Sequence, residues 1–163
     1  SSTTLKSIVA GFSNADIDLL YGDLLYVNTG YTKKIVRYWK SGVFNRDLLK
    51  FGWMPPHPTV YFKRSLISKV GFFDTSFSIA ADYDWLLRCL TRKEIKVHYL
   101  NQVLVHMRIG GESNKSLKNI CKKTYQDYIA IRNNRVGGFT TLLIKNIRKI
   151  PQFFRRANPV GDS

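Results

Sequence analysis

The stretch Asp18-Leu-Leu-Tyr-Gly-Asp-Leu-Leu-Tyr-Val27 is apolar on both parities. A strand with one wet face alternates apolar and polar side chains, and a strand covered on both faces does not. Residues 18–27 therefore read as a strand buried on both sides, as in a sheet flanked by helices. Asn28-Thr-Gly30 follows as a turn, and Lys34-Ile-Val-Arg-Tyr-Trp39 as its hairpin partner.

Upstream, Ser2 or Thr3 can cap a short helix to about Phe12, with Leu5, Ile8, Val9 and Phe12 on one face. Downstream, residues 43–51 read as a short helix ending at Gly52. Pro55-Pro-His-Pro58 is a stiff loop, because three prolines fix φ and remove donors, and it leads into a strand at Thr59-Val-Tyr-Phe-Lys63. A helix over 65–70, a loop over 71–79 and a helix over 81–92 follow. Strands near 95–100 and 102–108 come next, Gly110-Gly111 breaks the pattern, and helices fill about 116–135 and 139–156. The mixture predicts an α/β domain over residues 1–115 and a helical basic extension over 116–163.

The chain has 163 residues, enough for one domain with a real core, and 44% hydrophobic content argues against disorder. No run of about 18 apolar residues predicts a spanning helix. The start, Ser-Ser-Thr-Thr-Leu-Lys, has neither an initiator Met nor a secretory signal, so it reads as the interior of a longer protein or a processed product. Cys89 and Cys121 have no metal-like spacing and read as reduced thiols of a cytoplasmic protein. Lys and Arg number 26 against 11 Asp and Glu, a formal charge of +15. Residues 1–100 hold 14 basic and 8 acidic side chains, and residues 101–163 hold 12 and 3. Such an excess implies an anionic partner: nucleic acid, an acidic membrane surface or a phosphorylated substrate.

Residues 80–88, Ala-Ala-Asp-Tyr-Asp-Trp-Leu-Leu-Arg, place two carboxylates where an aromatic-rich loop becomes an apolar helix. Asp84 has Arg88 at i+4 in the favourable acid-before-base order, so a helix-surface ion pair accounts for it. Asp82 has Trp85 and Leu86 at i+3 and i+4, and is either a helix-start carboxylate or a general base. His57 sits in the proline loop, as a binding group or as a turn histidine. Trp53 either stacks on a sugar or fills the core. Gly110-Gly111 is a phosphate-approaching loop or a plain turn. Asp16-Ile-Asp18 has metal-pair spacing that a strand-start turn explains as well, and His106 reads as a structural histidine. Near the C-terminus, Leu143, Ile147, Ile150 and Phe154 share one helical face. Lys145, Arg148, Lys149, Arg155 and Arg156 occupy the others, and Pro151 kinks the helix. That profile fits an interfacial helix on anionic lipid, or a terminal helix docked on its own domain.

Taken together, Asp18-Leu-Leu-Tyr-Gly-Asp23, Met54-Pro-Pro-His-Pro-Thr59, Phe62-Lys-Arg64, Gly71-Phe-Phe-Asp74, Ile79-Ala-Ala-Asp-Tyr-Asp-Trp-Leu-Leu-Arg88 and Gly110-Gly-Glu-Ser113 resemble a bacterial family 2 glycosyltransferase. The resemblance covers about residues 1–115. It implies part of a GT-A fold and inversion by direct displacement at a nucleotide-activated sugar. It makes Asp82 the catalytic base, with Ala81 where the family carries a preceding acid, and puts His57 on the acceptor side of the cleft. Asp23, Asp84, Arg88, Gly110 and Gly111 fall in the matching segments, Trp53 stands just before one of them, and all are acceptor- or substrate-binding candidates. A divalent cation, Mn or Mg, is implied as well. Its Asp-x-Asp ligands belong to an N-terminal half that precedes this segment in the family, so the chain alone is expected to be inactive. The implied partners are a nucleotide sugar and a saccharide or lipid-linked acceptor at the cytoplasmic membrane face, with residues 139–163 on the lipid. The rivals are a nucleic-acid-binding module, which would interleave basic and aromatic residues on one sheet, and a membrane-associating module without chemistry.

Overall fold

A computed structural model describes residues 2–14, 16–28, 35–108, 117–148 and 150–153. The chain runs through helix α1 (Ser2–Asn14), strands β1 (Leu19–Val27) and β2 (Ile35–Trp39), and 3-10 turns at Arg46–Phe51 and His57–Thr59. Then come β3 (Tyr61–Phe62), α2 (Ser65–Val70), α3 (Ala81–Leu90), β4 (Val97–Arg108), α4 (Leu117–Asn133), α5 (Phe139–Ile147) and a 3-10 turn at Ile150–Phe153. The architecture is the expected α/β one, a four-stranded mixed sheet with flanking helices.

β1 is the centre of the sheet, as its two-sided apolarity requires. Along one edge it pairs in parallel with β4 from Leu19↔Val97 to Val27↔Arg108. Its other edge is shared by two antiparallel strands: β3 against Leu19 and Leu20, and β2 against Leu24 to Val27. Between them, at Gly22, side chains replace a strand. The Ser41 hydroxyl donates to the Gly22 carbonyl at 2.7 Å, and the Thr59 hydroxyl lies 3.0 Å from the same oxygen and 2.8 Å from the Pro56 carbonyl. The proline loop is thus tied to the central strand. A Cβ on Gly22 would lie 2.5 Å from Leu104 Cγ and 2.7 Å from the Gln102 carbonyl oxygen, so only glycine lets β4 cross so closely.

Several expectations are corrected. The two strands near 95–100 and 102–108 are one strand, β4, with three more residues than β1 between Tyr21↔Tyr99 and Leu24↔Val105. That bulge absorbs the Asn101–Gln102 polar step which reads as a strand break in sequence. Thr59–Lys63 yields only the two-residue β3. The helix expected over 139–156 ends at Ile147, and Pro151 sits inside a separate 3-10 turn rather than at a kink. The turn after β1 and residues 154–163 lie largely or wholly outside the described residues.

One large core lies on the face of the sheet that carries Leu19 and Tyr21, built with Trp53, Leu66 and nearly all of α3. Ala130 and Ile131 of α4 and Leu142 of α5 belong to the same core. The helices read as an extension in sequence therefore share the core of the sheet. A smaller cluster, Ile8, Ile17, Leu20 and Leu104, holds α1 on the other face. At about 25 cal/mol per Å² of apolar surface, the buried side chains of α3 (Trp85, Leu86, Leu87 and Leu90 are 1% exposed or less) contribute on the order of several kcal/mol.

Candidate functional site

α3 begins where the loop over residues 71–79 is pinned from three directions. The Gln126 carboxamide oxygen on α4 accepts from the Ile79 and Ala80 amides at 2.9 and 3.1 Å, and its amide donates to Ser78 Oγ. Trp85 Nε1 donates to the Gly71 carbonyl at 2.8 Å, while Phe73 and Phe62 pack on its ring. The third tie is Arg88. Its Nε donates to Asp84 Oδ2 at 2.9 Å, and its two terminal nitrogens donate to the Val70 and Phe72 carbonyls. Asn134, in the turn just after α4, donates to Asp84 Oδ1 at 3.0 Å. The i+4 pair legible in sequence is thus one part of a larger clamp, and both oxygens of buried Asp84 are taken.

Asp82, two residues back, is different. It is half-buried in the first turn of α3, where backbone amides still lack helical acceptors. Its Oδ1 accepts from the Tyr83 amide at 2.8 Å, and no protein group holds Oδ2 among the described residues. A carboxylate steadied at one oxygen and open at the other, on a helix start fixed by Gln126, has the form of a base that can take a proton from an incoming hydroxyl.

The remaining candidates separate by burial. Asp23 is 1% exposed, and its oxygens accept from Tyr38 OH (2.6 Å), the Ser41 amide (2.8 Å) and Tyr99 OH (2.9 Å). Burial, then the bond to Asp23, push the Tyr99 phenol above its ordinary value, so it remains a donor. Asp23 therefore joins β1, β2 and β4 from within the sheet. His57 is exposed at the start of its 3-10 turn, on a loop held by Thr59. Trp53 is buried, donates through Nε1 to the Ser41 carbonyl at 3.0 Å, and meets Tyr21 and Phe44 edgewise or tilted. It fills the core and also shows one edge to a cavity of about 430 Å³.

Trp39, Lys40, Lys145, Arg148 and Pro151 also line that cavity. Lys145 was not foreseeable as a buried residue. Its ammonium donates to Asp127 Oδ2 at 2.7 Å and sits 3.2 Å from the centroid of the Tyr83 ring, next in sequence to Asp82. Asp82 and His57 are not among the cavity walls. Gln126 was also missed, since nothing in its sequence neighbourhood marks a capping role 46 residues away.

Asp16 and Asp18 do not act together. Asp16 pairs with Lys96 and Asp18 with Lys69. Among the described residues no three His, Cys, Asp or Glu side chains gather as a metal site. These residues therefore do not fit the divalent cation that the resemblance implies. Gly110 and Gly111 lie outside the described residues. Burial pushes the Cys89 thiol up to about 12, and Cys121 is exposed and unbridged.

No family model matches the sequence. Among curated proteins it is similar to the PGL/p-HBAD biosynthesis glycosyltransferases of Mycobacterium bovis and Mycobacterium tuberculosis. The identity is 26% over 141 residues, covering 86% of this chain and 50% of the relative in each case. The chain thus spans about half the length of the curated relatives it matches, and the likeness supports a glycosyltransferase relationship at that general level.

Proposed function

We propose that the chain is the acceptor-side part of an inverting, family 2, GT-A-type glycosyltransferase that moves a sugar from a nucleotide-sugar donor to a saccharide or lipid-linked acceptor. The observation that carries the reading is Asp82, the carboxylate of residues 80–88 with an oxygen left open while Asp84 is consumed by Arg88 and Asn134. The similarity to relatives named glycosyltransferases over 86% of the chain supports it.

In the proposed step, the acceptor hydroxyl loses its proton to Asp82 as its oxygen forms a bond to C1 of the donor sugar. The bond from C1 to the phosphate oxygen breaks on the opposite face, and its electron pair leaves with the nucleoside diphosphate. Asp82 then returns the proton to solvent. The open oxygen must come within about 3 Å of the hydroxyl it deprotonates. His57 and the edge of Trp53 are proposed on the acceptor side, and Asp23, Asp84 and Arg88 act by holding the strands and loops that carry them. The described residues offer a divalent cation no ligand set, so no step is assigned to one here. The proposed place of action is the cytoplasmic face of the membrane, where cell-surface saccharides are assembled on lipid carriers.

Asp82→Asn in the full-length enzyme is expected to abolish transfer to acceptor, a loss of about a hundredfold or more, while nucleotide-sugar binding stays intact. Product formation measured by radiolabelled sugar transfer, beside donor affinity by calorimetry, separates the two. Transfer retained in Asp82→Asn would remove the base role.

A further inference from the structure

α5 is packed inside out. The side it turns to the core carries Thr141, Leu142 and Lys145. Thr141 Oγ1 donates to the Lys50 carbonyl at 2.9 Å, and Lys145 pairs with Asp127. The backbone of α5 also passes so close to Gly52, whose φ is +67°, that a Cβ there would lie 2.5–2.7 Å from Lys145. The side turned outward is apolar: Phe139 is 70% exposed, Leu143 50%, Ile147 53% and, in the following 3-10 turn, Ile150 56%. Spacings of 4 residues put Phe139, Leu143 and Ile147 on one stripe of α5, and exposed Ile150 follows in the separate 3-10 turn. An amphipathic helix docked on its own domain buries such a stripe. Here the helix is already anchored by its other side, so its own core is not the partner of the apolar one.

Charge identifies the partner. From Tyr128 to Gly161 the chain has seven Lys and Arg and no Asp or Glu. Arg148 is exposed at the end of α5, and with exposed Lys40 it borders the cavity walled by Trp39 and Trp53. Apolar side chains beside cations and an indole are the chemistry of the lipid–water boundary: the former enter the acyl region, and the latter meet phosphates and the interfacial layer. We infer that the outer face of α5 and the 150–153 turn docks on an anionic phospholipid bilayer, with Lys40 and Arg148 over the headgroups. No helix among the described residues is long and apolar enough to cross a membrane, so the contact is peripheral. This deepens the membrane-surface part of the proposed function and does not depend on the chemistry of Asp82, so vesicle binding and sugar transfer can fail separately.

The test is co-sedimentation of the full chain with vesicles of phosphatidylcholine alone and of phosphatidylcholine with phosphatidylglycerol. The full chain is expected to pellet with the anionic vesicles, more weakly at high salt, and not with the neutral ones. Leu143→Ser with Ile147→Ser should weaken binding about tenfold or more, and Arg148→Ser by about fivefold. All three side chains are exposed, and an unchanged urea midpoint certifies the fold of each variant. Absence of pelleting, or pelleting that neither variant alters, overturns the inference. So does a dimer in sedimentation velocity that Leu143→Ser with Ile147→Ser dissolves, which would make a second copy the occupant. Binding that appears only once residues 154–163 are removed also overturns it, since the chain's own terminus would then cover the face.

Discussion

Asp82 and Asp84 lie two residues apart on α3 and face opposite demands. Asp84 is buried and holds Arg88 and Asn134, and Arg88 in turn holds the carbonyls of Val70 and Phe72. Removing one partner of a buried ion pair leaves the other charge uncompensated, which costs about 3–5 kcal/mol, and more than the pair contributes relative to an apolar substitute. Arg88 is partly exposed and Asn134 stays in place, so Arg88→Ala should cost about 3 kcal/mol, read as a lower urea midpoint. Asp82→Asn keeps the contact to the Tyr83 amide and loses only a helix-start charge, so its stability should change by less than about 1 kcal/mol. A large loss of stability in Asp82→Asn would make it a structural residue and weaken its reading as a base. The sequence separates these two acids because the i+4 partner of each is local information. It does not reveal Asn134 or Gln126, whose contacts cross about fifty residues and exist only once α4 packs on α3.

At the scale of elements, α4 and α5 are latched through Asp127. Its Oδ2 accepts from Lys123 at 2.8 Å and Lys145 at 2.7 Å, while Oδ1 is buried with no hydrogen-bond partner among the described residues. Burial raises the Asp127 carboxyl, and the ammonium groups of Lys145 and Lys123 more than offset that, so it lies below its ordinary 3.8. A carboxyl with a depressed folded value stabilises the fold above its unfolded value, and that contribution fades as pH falls through the folded value. Asp127→Asn should therefore be less stable than wild type by about 3 kcal/mol at neutral pH, and the gap should narrow below about pH 4. Urea titrations of both proteins across that range test it, and a gap that does not change with pH would refute the latch. Other carboxylates with lowered values, Asp16, Asp18 and Asp74, are common to both proteins and cancel in the difference. The latch also explains which part of α5 could not be read in advance. A helical wheel assigns Lys145 to solvent and Leu143 to the core. The burial of one and exposure of the other follow from where Asp127 and Gly52 stand. β1 was legible because two-sided apolarity is a property of the strand itself, whereas the continuity of β4 past Asn101 depends on a bulge against a neighbour.

Across the whole molecule, the formal charge of +15 sets a term that no single contact shows. Among the described residues six acids are already spent in ion pairs: Asp16, Asp18, Asp47, Asp84, Glu94 and Asp127. The excess therefore resides in cations that repel one another across the surface, which favours the expanded state. Raising NaCl from about 10 mM to about 150 mM shortens the screening length from about 30 Å to about 8 Å, which removes most of that repulsion. The same salt weakens exposed pairs such as Lys50–Asp47 and Arg92–Glu94, but each is worth at most about 1 kcal/mol, and the buried pairs are screened less. Repulsion between many cations should outweigh the loss from a few exposed pairs. The melting temperature is accordingly expected to rise by several degrees over that range, since about 1 kcal/mol moves it by roughly 2–4 °C in a chain of this length. Chloride serves better than sulfate or phosphate, which strengthen apolar burial on their own. A flat or falling melting temperature would mean that the exposed pairs carry more of the fold than their geometry implies.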